Sequence, residues 1–365
     1  LSEPFRLDHR DGGTNGYRVF YQGVRSMETV LSGGRKIEGT WEQVAGSVPD
    51  LWRIRLPGSA AFRQLYAGGS RQVRARSVLP GQWHRLDTWY NPLASAMIDG
   101  QPSGPVDRLP GVASAHDAGI LVQWDNMGPC DITALSSVGD VEFVLHHDWV
   151  VTRIGVEAIL SADDRRLLIA FHPLQGKWLM ERDWPPKRTN QPFYLENALE
   201  FLDEPGEWFF DKTSEHLYYR PLSGQAPEAA GLVMPQGPAT LLEIVGSSFI
   251  RQVQAMTVRN IRFEYTNWAR PNDDGFLDGQ ANNFQDIHGG VNVHGHPPPA
   301  LRIETSRDLV IEDCHFQHLA GSAIEVGTLG SEITIRGNRI QDASGIGVVA
   351  GTILHPSQVS RIRIE

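Results

Sequence analysis

Two stretches, Ile311-Glu-Asp-Cys-His-Phe316 and Ile335-Arg-Gly-Asn-Arg-Ile340, share one frame: an apolar residue, polar or small residues, then a second apolar residue. Val258-Arg-Asn-Ile-Arg-Phe263 has the same frame, and Ile364-Glu365 opens it again. The copies from Ile311 onward recur about 24 and 29 residues apart, and Gly-rich turns with second apolar runs, Ser322-Ala-Ile-Glu-Val-Gly327 and Gly345-Ile-Gly-Val-Val-Ala350, lie between them. A repeat of that length is the mark of stacked coils. Coils of ~22 to 29 residues, with short strands split by Gly and Asn, suit a right-handed parallel β-helix, in which apolar side chains stack inward from rung to rung. Ile311, Phe316, Ile324, Ile335, Ile340 and Ile346 are the expected inward column. Gly337-Asn338 and Gly345 are expected to supply positive φ at the corners. The Leu-x-x-Leu-x-Leu frame of a leucine-rich repeat is absent.

Working outward, Tyr17-Arg-Val-Phe-Tyr21 and Thr29-Val-Leu-Ser-Gly-Gly34 have the same texture, so residues 1–40 are expected to form the first coil or coils. Residues 41–235 follow another grammar, with longer alternating strands such as Trp52-Arg-Ile-Arg-Leu56, Val141-Glu-Phe-Val-Leu145 and Arg166-Leu-Leu-Ile-Ala-Phe171. They are expected to form an inserted, mostly antiparallel, β-sandwich-like module. Residues 236–365 are expected to return to coils that are truncated at the C-terminus. The fold class expected is therefore mainly β: a parallel β-helix interrupted by an antiparallel module. Trp208, Phe209 and Phe210, after the turn at Pro205-Gly206, are expected to dock the module on the coils. Residues 185–192 read as a loop, and Tyr194 to Leu202 as a short helix.

Composition narrows the partners. A formal charge of -10 argues against a nucleic acid or other polyphosphate held by a basic surface. With 41% hydrophobic and 21% charged residues, the chain can bury a large core, which excludes disorder and collagen. No run of ~18 apolar residues is present, so no membrane span is expected. Cys130 and Cys314 read as two free buried thiols rather than a disulfide or metal pair. The first residue is Leu and the last residues open a strand, so the chain is expected to be a piece of a longer one, with any leader or C-terminal site elsewhere.

Phe193-Tyr-Leu-Glu-Asn197, Leu202-Asp-Glu-Pro-Gly-Glu-Trp-Phe-Phe-Asp211 and His216-Leu-Tyr-Tyr-Arg-Pro221 resemble the junction of secreted β-helix glycoside hydrolases similar to glycoside hydrolase family 141. Phe62-Arg-Gln-Leu-Tyr66, Arg71-Gln-Val-Arg-Ala-Arg76, Phe263-Glu-Tyr-Thr-Asn-Trp268 and His318-Leu-Ala-Gly321 resemble the same group. The resemblance implies an interrupted β-helix that cleaves glycosidic bonds of plant-type or related polysaccharides, secreted or periplasmic, with no organic cofactor. Which sugar it takes, and its oligomeric state, stay open.

Glycoside hydrolysis needs a proton donor and a second carboxylate about the scissile bond. Outward acids of the coils are the candidates: Glu325, Asp342 and Asp313, with Glu312 and Glu332 behind them. Alternation with Ile324 and Val326 turns Glu325 outward, and its apolar flanks make it the expected acid. Asp342, before a Gly-rich turn, is the expected base or nucleophile. Taken singly, each reads more readily as a solvated or turn-capping acid. The long interruption from Thr266 to Ala300 carries Trp268, Gln280, Asn283 and His294, which suit a saccharide subsite, as does His318. In this loop Asp273, Asp274 and Asp278 are either a Ca2+ set or a solvated tip. His288, His294 and His296 lack an acid or Cys at a recognised metal spacing, so no metal site is assigned. Of His146 and His147 only one can face outward on its strand. No phosphate-cradling Gly loop and no Gly-x-Ser-x-Gly elbow occurs. Two rivals remain: a polysaccharide lyase on the same fold, and a non-catalytic carbohydrate-binding β-helix.

Overall fold

The computed structural model describes residues 1–365 apart from 26–27, 47–49, 94–95, 110–111, 114–115, 129, 223–226, 290–292 and 352–358. The chain is mainly β, with separate parallel and antiparallel sheets. Three parallel sheets each take one strand per winding. The first holds Phe5–Leu7, Leu242–Val245, Pro299–Glu304, Ser322–Val326 and Val348–Ala350; the second holds Val19–Gln22, Val253–Arg259, Ser306–Glu312, Gly330–Arg336 and Ser360–Ile364. The third holds Thr29–Ser32, Ile261–Glu264, His315–Leu319 and Arg339–Ala343.

The register of these ladders follows the repeated frame. Val258, Ile311, Ile335 and Ile364 are successive partners, and so are Phe263, Phe316 and Ile340. The Phe263 and Phe316 rings lie parallel, with centroids 4.6 Å apart. Burying each such side chain stabilises by about 1.5 to 3 kcal/mol, so the inward column carries much of this region's stability. Ile346 is not in that column: it is half-buried in a bend, and Val348 is the partner of Ile324. The corners also differ in part from expectation. Gly337 has φ +61°, but Gly345 has no positive φ; a Cβ there would lie 2.8 Å from the Gly321 backbone, so close approach of windings is what demands glycine. Asn338 ties adjacent windings, accepting from the Cys314 amide at 2.9 Å and donating to the Ile311 carbonyl at 2.9 Å.

Between the first and second windings the chain builds other sheets. Seven strands run antiparallel in the order His84–Arg85, Pro192–Glu196, Glu142–His146, Val151–Ser161, Arg166–Phe171, Gly119–Gln123, Thr88–Tyr90. Phe276–Leu277, from the long interruption between windings, pairs with Val151–Ser161 and so joins this sheet to the windings. Its core includes Phe143, Phe171, Phe193 and Leu195, separate from the core of the windings. A five-stranded sheet and a four-stranded sheet enclose a third apolar cluster around Trp41, Phe62 and Tyr219.

Two expectations are corrected here. Tyr194 to Leu202 is not a helix: Pro192–Glu196 is a strand, and only Leu199–Phe201 is a turn of 3-10 helix. Phe193 and Leu195 point into the core while Tyr194 and Glu196 point away, a period of two that wins over helix signals. Trp208, Phe209 and Phe210 are buried but do not dock on the core of the windings. Trp208 and Phe210 enter the third cluster, stacked or tilted on Phe62 at 5.2 and 5.1 Å, whereas Phe209 on the other face enters the large-sheet core. Alternation on the strand Glu207–Asp211 makes it a wall between two cores.

Candidate functional site

One face of the seven-stranded sheet is core; the other is covered by a fourth apolar cluster around Tyr90, Leu121 and Leu168 at one end, and at the end near Pro192–Glu196 and Phe276–Leu277 it faces the windings. Tyr194, Val144, Arg153 and Phe276 are successive cross-strand partners, and Glu196 pairs with Glu142 one step along. An isolated bridge sets Arg76 beside Glu196. Because side chains alternate, all of these project to the same side. His146 continues this face: its ring lies 4.2 Å from that of Trp83, and Trp83 lies 5.5 Å from Tyr194. Burial, helped by the nearby Arg153, lowers the His146 pKa to about 4, which keeps the ring neutral near pH 7. His147 turns the other way and meets Thr152 and Gln191.

Between this face and the windings lies a cleft of 450 Å3, lined by Arg63, Arg71, Arg74, Arg76, Arg153, Tyr194, Glu196, Trp268 and Phe276, with Pro297, Ala320 and Ser344 from the corner of the windings. Its inner wall is a buried ion network. Glu142 takes Arg63 at 2.6 Å and Arg74 at 3.0 Å; Glu196 takes Arg74 at 3.1 Å and Arg153 at 3.6 Å. Burial would raise the Glu142 pKa, but the two guanidinium groups outweigh it and hold the carboxyl far below its usual range.

The windings contribute a column of non-glycine residues with left-handed φ: Tyr265 at 57°, His318 at 56° and Asp342 at 49°. Such columns recur in the windings, as at Ala255, Asp308, Glu332 and Arg361 on successive rungs of the second sheet. This one is therefore a regular irregularity of the strands that here turns His318 and Asp342 toward Arg71. Asp342 accepts from His318 Nδ1 at 2.8 Å and from Arg71 Nε at 2.9 Å. Burial pushes its pKa up, but the His318 hydrogen bond and the Arg71 charge prevail, so it lies below the ordinary carboxylate value. Tyr66, fully buried, packs against both Tyr265 and His318 at 5.0 and 4.7 Å, and burial raises its pKa.

Of the residues singled out in the sequence, Trp268 lines the cleft and His318 and Asp342 adjoin it through Arg71. Glu325 does face away from the core, but His296 lies over it at 4.0 Å and its exposure is only 8%. Burial raises its pKa. Glu325 and Asp342 stand on different sheets on either side of the Ala320–Gly321 corner, and no hydrogen bond or ion pair joins them among the described residues. Asp313 is exposed at the other end of the strand His315–Leu319, roughly 20 Å from that corner at ~3.3 Å per residue. Gln280 and Asn283 close a turn through the Asn283 amide and Gln280 carbonyl at 3.0 Å and do not line the cleft, and His294 pairs with Gln285. Glu312 is taken up by Arg336, and Glu332 by Arg361.

The acids of the long loop do not converge. Asp274 binds Arg270 and His288, whereas Asp278 is buried, which raises its pKa to about 6. Among the described residues no three of His, Cys, Asp and Glu are grouped to hold a metal ion. No helix among them is long and apolar enough to cross a membrane. Arg63, Arg76, Arg153, Tyr194 and Trp83 were not singled out as site residues from sequence. The spacing Arg74-Ala-Arg76 and the alternation Tyr194-Leu-Glu196 would have put these pairs on one face each once both were read as strands.

The family model of the GH141 insertion domain matches residues 120–222. A solved structure titled "Glycoside hydrolase" aligns with TM-score 0.80 and 25% identity, covering 98% of this chain and 59% of that chain. This chain therefore spans 59% of the length of that relative. A complex of XylC with xylose aligns at TM-score 0.34 and 11% identity, over 95% of this chain and 45% of that one, and bears no weight here. No curated protein matches. The chain thus resembles glycoside hydrolase family 141.

Proposed function

We propose that the chain is part of a glycosidase built on a right-handed parallel β-helix, formed by residues 1–40 and 236–365, with residues 41–235 inserted as an antiparallel module, acting outside the cytoplasm on plant-type or related polysaccharides. The observation that carries the reading is the alignment with a glycoside hydrolase over 98% of this chain. The cleft between module and windings supports it, since it combines Trp268 and Tyr194 for sugar faces with polar groups for hydroxyls.

In this reading Asp342, held ionised by His318 and Arg71, is the base or nucleophile, and Glu325, whose burial favours the protonated form, is the acid. Neither lines the cleft, so the pairing requires the substrate to lie across the Ala320–Gly321 corner that separates them. Asp342→Asn and Glu325→Gln in the full-length enzyme are each expected to lower turnover of an aryl glycoside at least a hundredfold with the fold retained by circular dichroism. Wild-type turnover in either variant overturns the assignment and moves the chemistry to other carboxylates. Activity is expected to fall as pH rises through the Glu325 pKa, because the acid is then lost.

A lyase is the second reading, favoured by the guanidinium groups lining the cleft, which could neutralise a uronate during proton abstraction. Release of an unsaturated, ultraviolet-absorbing product would decide for it against hydrolysis.

A further inference from the structure

The cleft holds more cation than its own carboxylates answer. Arg63 and Arg74 share Glu142, Arg74 and Arg153 share Glu196, and Arg71 is held by Asp342. Five guanidinium groups thus face three carboxylates. No ion pair reaches Arg76 among the described residues, and its Nε is buried without a hydrogen-bond partner. Its guanidinium lies 5.7 Å from the centre of the Tyr194 ring. Arg153 keeps a third of its side chain exposed and touches Glu196 only at 3.6 Å.

A buried donor on a permanent cation is unfavourable without a partner, and the nearby carboxylates are already engaged. The fork of a guanidinium matches a planar carboxylate or a sulfate oxygen pair. With an overall charge of -10, long polyanions are repelled at a distance, while the cleft itself presents five guanidinium groups. That distribution suits a short acidic saccharide rather than a long polyphosphate.

We infer that the cleft recognises a saccharide through an anionic substituent, a uronate carboxylate or a sulfate ester, which docks on Arg76 and Arg153 while the ring rests against Trp268. The inference deepens the saccharide reading above and rests on it. Calorimetric binding to the 365-residue chain tests it without need of turnover. The probes are oligogalacturonates and glucuronoxylan oligosaccharides, each beside its methyl ester, and carrageenan oligosaccharides beside their desulfated forms. The acid form is expected to bind at least tenfold tighter than its neutral counterpart, with affinity falling as salt rises, and Arg76→Gln is expected to remove most of that preference at unchanged melting temperature. Preference for a uronate or for a sulfate supports the inference and identifies the source of the charge. Equal binding of acid and neutral forms, or a preference that survives both Arg76→Gln and Arg153→Gln, overturns it while leaving a saccharide site standing. Failure of the whole panel to bind overturns the saccharide reading with it.

Discussion

Buried acids in this protein divide by what surrounds them, and the division sets how stability depends on pH. Glu207 is 3% exposed, and burial raises its carboxyl pKa to about 7, although the amides of Asp203 and Glu204 donate to it. A carboxyl whose folded pKa exceeds its unfolded value binds the extra proton only in the folded state. Stability is therefore expected to decline as pH rises from about 4.5 to 7 and to level off above, by on the order of 2 to 3 kcal/mol. Glu207→Gln should remove that slope and stabilise the chain at pH 8; a slope that persists in urea titrations of the variant would remove Glu207 as its source. Glu142 behaves oppositely, being held ionised by Arg63 and Arg74. Glu142→Gln leaves two buried guanidinium groups short of charge, so a loss of about 3 to 5 kcal/mol is expected in urea unfolding at pH 7. A loss below 1 kcal/mol would mean that water or Glu196 takes over.

At the scale of elements, the windings stand on the rung-to-rung column. Ile335 is 2% exposed and lies between Ile311 and Ile364. Ile335→Ala is expected to cost about 2 to 5 kcal/mol and Ile335→Asp to unfold the windings, read by circular dichroism and melting. Wild-type melting of the Asp variant would contradict the column. This register was legible because one frame recurs, and each recurrence repeats the same choice of inward residue. Ile346 was misplaced because the frame slackens in the Gly-rich bend, where Gly345 serves close approach and the next inward residue is Val348. Tyr194 to Leu202 was misread because helix signals compete with strand alternation in a short segment, and only pairing of Val144 with Tyr194 settles which period holds.

For the whole molecule, the site is a meeting of distant segments, which explains why so little of it was readable. Arg71 reaches Asp342 across 271 residues, and Arg63 reaches Glu142 across 79. Trp268 and His318 were visible as polar or aromatic residues near interruptions of a repeat, but the guanidinium wall has no local signature, and a net charge of -10 conceals it. The same architecture joins the core of the windings to the two cores of the inserted sheets through a seam of different chemistry. Tyr66 packs against Tyr265 and His318 and Arg71 pairs with Asp342, Tyr66 and Arg71 both coming from the four-stranded inserted sheet, and Phe276–Leu277 makes a short pairing with Val151–Ser161 of the large sheet. Cores that share few apolar contacts need not unfold together. Scanning calorimetry is expected to resolve two transitions, one for the windings and one for the inserted sheets, whose two cores share the strand Glu207–Asp211. Tyr66→Ala, which empties the aromatic part of the seam, should separate them further by lowering the weaker one. A single transition in both proteins would mean that the seam couples the two bodies into one cooperative unit, with the cleft then framed by walls that open only on global unfolding.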